Sequence, residues 1–590
     1  MIERTNTTAK RPLLTILGFI LATISVFTAR WSDANVYELS IYASTPDVFW
    51  ISIVFCFMIS LLLIITTQKK DNYGGNALMF LSFTIIIFLP ILRRYYYIGE
   101  GDSLTHLGYA RSLLTNVLDM TDILYPGIHV LSVFFSSISG TTVRFSMMFI
   151  SLFFLLLFII SSFLVVRAFI TYKYRYIGIF LPGLLLPVNL ISVHPNPHPV
   201  TSAILYFPFL VFVYVKYIQS ENNEWLVSNI ILYAGIVFLH PQIGATVLLF
   251  CIILTTFKAS ENKLLAQNSH SSISAIITVL NLLIFWLWSS AKPRFARGIQ
   301  GYLRSLLVET GTATEVTQRG ASLSDLGSGL NILATKLFLI SFIASLISVS
   351  IIAYCLITYS RRITSNGTVN KFRRLFTDRF IIIIALGAVP AFGLFLFTLV
   401  IDVTTQYFRY HGFIMAIVTI ISTYSVKYLH AKLAADRLLN TVYILGLVFI
   451  LVLSLLVYFP SPYILQPNNQ VTESQIEGYE TGLEHSQPGL DIMSIRSPPS
   501  RYFDAQIMPT GQSRGDTYRN GIRTPDHFAN QNLHQRDLTT YIVVTSADYK
   551  RDVNLYKGFR FNRSDFEYIG SAPGINKVHS SGGTTFYLTN

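Results

Sequence analysis

The stretch VRFSMMFISLFFLLLFIISSFLVVRA, residues 143–168, decides the fold class of this chain. Between Arg144 and Arg167 it holds no charged residue. A helix needs about 20 consecutive apolar residues to cross the hydrocarbon core of a bilayer, and this stretch is long enough. The sequence therefore predicts a membrane-crossing helix here.

Similar apolar runs recur along the first three-quarters of the 590 residues. Hydrophobic residues make up 52% and charged residues 13% of the chain, whereas a soluble domain carries about 25% charged residues. This composition excludes a single water-soluble core, a disordered chain and a channel subunit with two or three spans. It predicts a polytopic α-helical membrane protein with about thirteen transmembrane helices. The predicted spans are 13–29, 48–67, 77–92, 143–168, 176–193, 199–218, 226–240, 243–258, 272–290, 332–358, 380–401, 411–428 and 438–459.

An odd number of spans places the two ends of the chain on opposite sides of the membrane. Basic residues gather in the loops on the N-terminal side, most densely from Arg361 to Arg379. Because loops rich in Lys and Arg stay in the cytoplasm, we expect a cytoplasmic N-terminus in a multi-pass protein of the cell membrane. The first apolar run follows Lys10 and Arg11 and is predicted to be an uncleaved span.

The sequence predicts two domains. The first is a transmembrane domain over 1–459, with an external segment at 93–142 and an external loop at 291–331. The second is an extracytoplasmic α/β domain over 460–590, here called the C-terminal tail. In this tail Thr472 and Gln475 fit a capping box, and the stretches TTYIVVTS and GTTFYLTN predict strands, the second closing a hairpin.

The net charge of +13 lies in the transmembrane domain, because basic and acidic residues nearly balance after Phe459. Cytoplasmic loops and lipid headgroups account for such an excess, and the sequence predicts no nucleic-acid surface. The three cysteines, Cys56, Cys251 and Cys355, all lie in apolar runs. They offer neither a disulfide framework nor a cysteine metal site. The motifs of P-loop ATPases, serine hydrolases and zinc proteases are absent from the sequence.

Two carboxylates, Glu100 and Asp102, open the stretch GEGDSLTHLGYARSLL. Leucines at helical spacing follow, which predicts an amphipathic helix on the membrane surface with Asp102 as its N-cap, and a second helix beginning at Pro126. An exposed carboxylate at this place can act as a general base or hold a divalent metal with its neighbour. The alternative is that Asp102 only caps the helix.

Basic side chains accompany the two carboxylates, among them Arg93, Arg94 and His106. Acids and bases together at the membrane surface suit a substrate that combines a sugar with a lipid-linked phosphate. The external loop adds Arg294 and Arg297 on the side where basic residues are disfavoured, which calls for an anionic partner.

Histidines beside prolines form a further pattern. They are His194 and His198 in HPNPHP, His240 in HPQIG and His129 in YPGIH. All four are predicted at the same membrane level, where they can bind a metal, donate to a phosphate or orient a sugar. The alternative is that proline ends each span and histidine simply lies at the interface.

Arg409 and His411 lie in the stretch DVTTQYFRYHGF, at the membrane edge on the external side. Arginine is the residue best suited to a phosphate or pyrophosphate because its planar fork matches the oxygen geometry. The alternative is an interfacial arginine that extends its charged end into water.

A multi-span chain with an acidic motif in its first large external segment, two surface helices there and an external C-terminal domain resembles the GT-C glycosyltransferases. These integral membrane enzymes use polyprenyl-phosphate-linked sugars and include oligosaccharyltransferases and protein mannosyltransferases. GEGDSLTHLGYARSLL and YPGIHVLS resemble uncharacterised archaeal members in particular. The resemblance implies that Asp102 is the catalytic or acceptor-activating acid, Glu100 the second acid and Arg409 the arginine that meets the lipid phosphate.

Two features depart from that family. Two spans precede the one that leads into the acidic motif, where many relatives have a single span, and the tail lacks a WWDYG-type motif. The absence of that motif favours transfer of a single sugar over transfer of a whole oligosaccharide to protein.

The sequence thus predicts a membrane glycosyltransferase with a polyprenyl-phosphate sugar as donor and a glycan, lipid or protein as acceptor. Asp102 is the expected base, assisted by Glu100 or His106. Expected phosphate ligands are Arg409, Arg294, Arg297, Arg93 and Arg94, and expected substrate ligands are His129, His194, His198, His240 and His411. The alternatives are a transporter or flippase of lipid-linked or anionic substrates, a polysaccharide polymerase or ligase, and a non-catalytic scaffold. Few charges lie inside the spans, which favours an enzyme over a transporter.

Overall fold

A computed structural model describes most of the chain. The described residues are 3–66, 73–169, 182–183, 193–220, 222–264, 271–308, 330–363, 372–401, 406–424, 437–507, 524–531 and 539–589. Almost all of the predicted span 176–193 lies outside them. Every other predicted span overlaps a helix of the structure.

Apart from two four-residue helices, Ile41–Ser44 and Leu89–Leu92, the helices before the C-terminal tail are mostly long and apolar. They are α1 (Glu3–Arg30), α2 (Asp47–Thr66), α3 (Tyr73–Ile87), α4 (Asp102–Leu114), α5 (Gly127–Ser139), α6 (Val143–Phe169), α7 (Pro199–Ser220), α8 (Asn223–Leu239), α9 (Pro241–Leu264), α10 (Ser271–Ser290), α11 (Pro293–Val308), α12 (Leu330–Ile363), α13 (Phe372–Ile401), α14 (Tyr407–Tyr424) and α15 (Arg437–Leu456).

Within the described residues, six helical stretches are long and apolar enough to cross a membrane. They are Arg11–Arg30, Asp47–Ile64, Val143–Ala168, Pro199–Tyr217, Thr335–Thr358 and Phe380–Leu399. A seventh forms if α10 and α11, bent by 91° at their junction, are taken as one broken span, and shorter apolar helices accompany them. The predicted class, a polytopic helical membrane protein, is confirmed. The predicted number of about thirteen spans stays a prediction.

The helix α6 shows why these elements belong in a bilayer. Leu155 and Ile159 are buried against other helices, while Phe153 and Ile160 on the remaining surface are exposed. A helix that is apolar on every side cannot leave one face in water without cost, but that face is stable against lipid. Packing therefore buries one side of α6, and the bilayer accounts for the other.

The C-terminal tail contains a mixed four-stranded sheet. Its strands are β3 (Ile492–Ser494), β4 (Tyr541–Thr545), β5 (Ile575–Ser580) and β6 (Thr584–Thr589), in the order β3-β4-β6-β5. Strand β3 pairs parallel to β4, and β6 pairs antiparallel to both β4 and β5. The tail also contains helices α16 (Glu473–Glu484), α17 (Pro499–Gln506) and α18 (Arg563–Ser571), and two short helical segments, Ser546–Tyr549 and Lys550–Leu555. The predicted hairpin and both predicted strands are confirmed.

Local signals in the tail act as the sequence suggests. Thr472 accepts a hydrogen bond from the backbone N–H of Gln475, whose side chain accepts one from the Thr472 N–H in return. This reciprocal capping satisfies two backbone donors at the start of α16. The chain just before α16 forms β2 (Gln470–Val471), which pairs antiparallel with β1 (Tyr97–Ile98) of segment 93–142. A two-stranded ladder thus joins the tail to the start of the acidic motif.

Candidate active site

A glycine turn sets the direction of the acidic motif. Gly101 has φ 64° and ψ −123°, a conformation that residues with a Cβ rarely adopt, and α4 begins at the next residue. The N-cap position therefore belongs to Gly101, and the prediction that Asp102 is the N-cap is wrong by one residue. The Asp102 carboxylate pairs instead with Arg501 of α17, with Oδ1 2.5 Å from Nη2, and 57% of the Asp102 side chain remains exposed.

Four histidines predicted from the sequence come together around His106, which lies one helical turn after Asp102 in α4. The Nδ1 of His106 lies 3.1 Å from Nε2 of His129. The His106 ring is also 5.8 Å from the His198 ring and 5.9 Å from the ring of Tyr125, which lies 5.1 Å from the ring of His240. We call His106, His129, His198 and His240 the histidine cluster.

Proline explains how the cluster forms. Pro199 and Pro241 are the first residues of α7 and α9, the position at which proline lacks no needed donor. His198 and His240 directly precede them and so lie at helix entrances rather than inside a span. The helix α5 begins at Gly127, one residue after the predicted start, and carries His129 in its first turn. The proline motifs thus mark helix ends and also place the histidines.

Burial keeps the histidine cluster neutral. Desolvation lowers the pKa of His129 to about 3 and that of His198 to about 4. Desolvation, together with the neighbouring histidines, also lowers the pKa of His106 and of His240 well below the usual range. A neutral imidazole donates one hydrogen bond and accepts one.

Two nitrogens of the cluster have no hydrogen-bond partner among the described residues. They are the buried Nδ1 atoms of His198 and His240. Buried polar atoms in folded proteins are nearly always paired, so these two nitrogens can bind a polar group.

Arg409 lies beside the cluster, as its position in the sequence suggested. Its Nη1 donates to Oε1 of Gln242 at 2.6 Å, which ties α14 to the first turn of α9. After desolvation, the Arg409 charge is the largest further cause that lowers the pKa of both His198 and His240. The negative charge of Asp102 acts on His198 in the opposite direction. A carboxylate, neutral imidazoles and a guanidinium therefore face one small region.

Glu100 occupies a different environment from Asp102. Its two carboxylate oxygens each lie 2.6 Å from a guanidinium nitrogen of Arg551 in the tail. Ser497 adds a longer hydrogen bond at 3.3 Å. Both oxygens are thus used in a fork-to-fork pair, which favours a positioning role for Glu100 over the catalytic role that the resemblance implies.

Arg93 and Arg94 belong to ion pairs next to the N-terminal helices. Arg93 is buried, and its two terminal nitrogens each donate at 2.6 Å to a Glu38 oxygen. Arg94 pairs with Asp33 at 2.6 Å. A buried guanidinium that already holds a carboxylate is not available to a phosphate, so the structure disfavours the predicted phosphate role of Arg93.

The remaining predicted ligands are His411, His194, Arg297 and Arg294. His411 packs against the rings of Phe338 and Phe395, at 6.3 and 5.9 Å. His194 is half-buried in the segment before α7, and Arg297 is exposed on α11. The side chain of Arg294 lies outside the described structure. Across the described parts of the chain, no three His, Cys, Asp or Glu side chains are arranged to hold a metal ion.

Sequence reasoning missed Arg501, Gln242 and Tyr125. Gln242 and Tyr125 stand within the quoted motifs HPQIG and YPGIH, so their closeness to the histidines was the available signal. Arg501 has no such signal, because its helix α17 lies in the tail and reaches α4 only through the tertiary fold.

Comparison with known proteins gives matches among solved structures alone. No protein-family model and no curated protein matches the chain. It is similar to the oligosaccharyltransferase of Archaeoglobus fulgidus in the apo form, at 12% identity and TM-score 0.47, over 91% of this chain and 74% of that one. It is also similar to ArnT of Cupriavidus metallidurans bound to undecaprenyl phosphate, at 11% identity and TM-score 0.38, over 88% and 98%.

Proposed function

We propose that this chain is an integral membrane glycosyltransferase, which moves a sugar from a polyprenyl-phosphate-linked donor to an acceptor on the extracytoplasmic face. The observation that carries the proposal is the meeting of Asp102, the histidine cluster and Arg409 at the ends of membrane helices. A half-exposed carboxylate beside buried donors and a guanidinium suits a reaction that needs a base on one side and an anion site on the other.

The phosphate of the donor binds on the Arg409 side. Arg409 uses one nitrogen to hold Gln242, and its planar fork has further N–H groups for phosphate oxygens. The unpaired imidazole nitrogens of His198 and His240 add neutral polar groups to the same region. Neutral imidazoles can hydrogen-bond to a phosphate or a sugar without placing several buried positive charges together, which would be costly.

The transfer step assigns one role to each side. The acceptor hydroxyl oxygen forms a bond to the anomeric carbon of the sugar, and the bond from that carbon to the phosphate oxygen breaks. The Asp102 carboxylate takes the hydroxyl proton, and the electron pair leaves with the phosphate. Arg409 stabilises the negative charge that develops there.

The surface near the site supports lateral entry of a lipid-linked donor. On α5, Leu131, Phe134 and Ile138 are exposed, and this helix of 13 residues is too short to cross a bilayer. An amphipathic helix of this kind lies at the boundary between headgroups and acyl chains. The polyprenyl chain then stays in the bilayer while its phosphate reaches the cluster. The acceptor is a glycan, a lipid or a protein, and the tail covers the site from the extracytoplasmic side.

The test is donor consumption by the purified full chain in lipid vesicles. Radiolabelled polyprenyl-phosphate sugars are offered as a panel, with and without divalent metal, to the wild type, to Asp102→Asn and to Asp526→Asn, a control on an exposed carboxylate of the tail. We expect Asp102→Asn to lose transfer by about 10²- to 10⁴-fold, the usual contribution of a general base, with unchanged expression.

Two results would contradict the proposal in different ways. Full activity of Asp102→Asn would remove Asp102 from the chemistry. Donor binding without consumption by any variant would favour the transporter or flippase, and transport of the lipid-linked donor across vesicles would then be measured.

A further inference from the structure

The helix α17 of the tail is fixed over the first turns of α4. Gly108 lies so close to the backbone oxygen of Asp504 that a Cβ at this position would overlap with that oxygen. The Thr105 hydroxyl donates to Oδ2 of Asp504 at 2.5 Å. These contacts do not involve Arg501, so the backbone of α17 places Arg501 beside Asp102 independently of their ion pair.

Arg501 bridges the expected base and its helix. Its Nη2 lies 2.5 Å from Oδ1 of Asp102, and its Nη1 donates to the Thr105 hydroxyl at 3.0 Å. The Arg501 side chain is 30% exposed and that of Asp102 57%. The pair of Arg551 with Glu100 is far more buried, because these side chains are only 6% and 15% exposed. Water screens an exposed ion pair, so the Asp102 pair opens much more readily than the buried one.

This pair bears directly on the transfer step. A carboxylate oxygen that accepts from a guanidinium is not free to take the proton of an acceptor hydroxyl. In the closed pair this holds for Oδ1 of Asp102, so opening the pair gives the acceptor access to both carboxylate oxygens, and Arg501 then binds another anion or water. Phosphate and carboxylate groups match the planar fork of arginine best.

We propose that Arg501 binds an anionic group of the acceptor, a phosphate monoester or a carboxylate, and that this exchange releases Asp102 to act as the base. The inference rests on the proposed glycosyl transfer and narrows its acceptor to a molecule that carries an anion near the reacting hydroxyl. A neutral acceptor leaves the pair closed, so the exchange also selects the acceptor.

Chemical modification tests the anion site without any turnover. The full chain in lipid vesicles is reacted with phenylglyoxal in methyl phosphate, sodium acetate or sodium chloride at equal ionic strength, and modified arginines are quantified by peptide mass spectrometry. We expect methyl phosphate or acetate to slow modification of Arg501 several-fold and in a saturable way. Arg563, an exposed tail arginine paired with Glu567, is the control and should show no such protection. Asp102→Asn should lower the anion concentration that gives half protection, because the competing carboxylate is gone.

Equal protection of Arg501 and Arg563, or protection of neither, would overturn the proposal. Protection by only one of the two anions would identify the group that the acceptor carries.

Donor hydrolysis tests the release of Asp102. In this reaction a water oxygen bonds to the anomeric carbon, the bond to phosphate breaks, and the water proton passes to Asp102. Without acceptor, we expect Arg501→Gln to hydrolyse the donor several-fold faster than the wild type. Methyl phosphate should not change the hydrolysis rate of this variant. The wild type and Arg563→Gln should both be accelerated by methyl phosphate. A hydrolysis rate for Arg501→Gln at or below that of the wild type would contradict the release of Asp102 from Arg501. If no variant hydrolyses any donor, the modification experiment alone decides whether Arg501 is an anion site, and the proposed function is decided by donor consumption in the presence of acceptor.

Discussion

Three carboxylates of the region around the acidic motif pair with arginines, and their exposure separates their roles. The pairs of Glu38 with Arg93 and of Glu100 with Arg551 are almost fully buried. Removing one partner from a buried pair leaves an uncompensated charge, so such pairs fix local structure. Asp102 is the exposed carboxylate of the three, and only its environment suits a group that must meet a substrate and exchange a proton.

The neutral histidines predict a pH dependence of stability. His129 has a folded pKa of about 3, whereas an unfolded histidine has a pKa of about 6.5. Below about pH 6.5 the unfolded chain binds a proton at this histidine, whereas the folded chain does not. The free energy of unfolding therefore decreases as the pH falls, by about 1.4 kcal/mol per pH unit for each such histidine. We expect the Tm of the wild type to fall between pH 7 and pH 5, and His129→Gln to show a shallower slope.

Thermal unfolding at a fixed scan rate in detergent measures this slope. His485→Gln, a change at an exposed histidine of the tail, should keep the slope of the wild type. A wild-type Tm that does not change over this range would show that the cluster is not held neutral.

The sequence predicted the residues of the cluster better than their roles. His129, His198 and His240 follow from proline motifs, because proline at the first position of a helix also fixes the residue before it. Local patterns cannot reveal a partner that the chain supplies from far away. For that reason Glu100 looked like a second catalytic acid until its partner Arg551 was known, and Arg501 was not predicted at all.

At the scale of elements, the contact between α4 and α17 builds one wall of the site. It depends on Gly108, where no side chain fits between the two helices. We expect Gly108→Ala to push α17 away at a cost of about 1–3 kcal/mol, the usual effect of overpacking. Hydrogen exchange should then rise in residues 499–506, and transfer should fall.

Another helical glycine, Gly570 in the tail, provides the matched control. A Cβ on Gly570 of α18 meets no atom within 4 Å. Gly570→Ala should keep exchange and transfer at the level of the wild type and can add up to about 1 kcal/mol of stability through helix propensity. Unchanged exchange in residues 499–506 of Gly108→Ala would contradict the close packing of the two helices.

Element boundaries show which signals are strong in this sequence. Long apolar runs and the capping box at Thr472 depend on neighbours within a few residues, and the structure agrees with them. The starts of α4 and α5 were each misplaced by one residue. At α4 the turn depends on the positive φ of Gly101, which a helical pattern of leucines does not contain.

At the scale of the whole molecule, the C-terminal tail is built into the helical part rather than attached to it. Arg551 donates to the Tyr37 hydroxyl at 3.0 Å as well as to Glu100. The Tyr37 hydroxyl in turn donates to the backbone oxygen of Asn468 at 2.9 Å. Together with the β1–β2 ladder, this buried network connects the loop after α1, the acidic motif and the tail. The tail therefore sets the position of Asp102 through Glu100.

A double-mutant cycle on Glu100 and Arg551 tests that role. Glu100→Gln leaves the buried guanidinium of Arg551 unpaired and should cost about 3–5 kcal/mol, while the double variant with Arg551→Met should recover much of this loss. If Glu100 only positions the motif, sugar transfer recovers together with the Tm in the double variant. If Glu100 takes part in the chemistry, the double variant is stable but inactive. The same cycle on Arg496 and Asp552, a pair within the tail whose carboxylate is buried and whose guanidinium is partly exposed, is the control. It should lower the Tm in its single variants without separating stability from transfer. A cycle at Glu100 that shows no coupling would mean that the tail does not hold the acidic motif, and that Asp102 is placed by α4 alone.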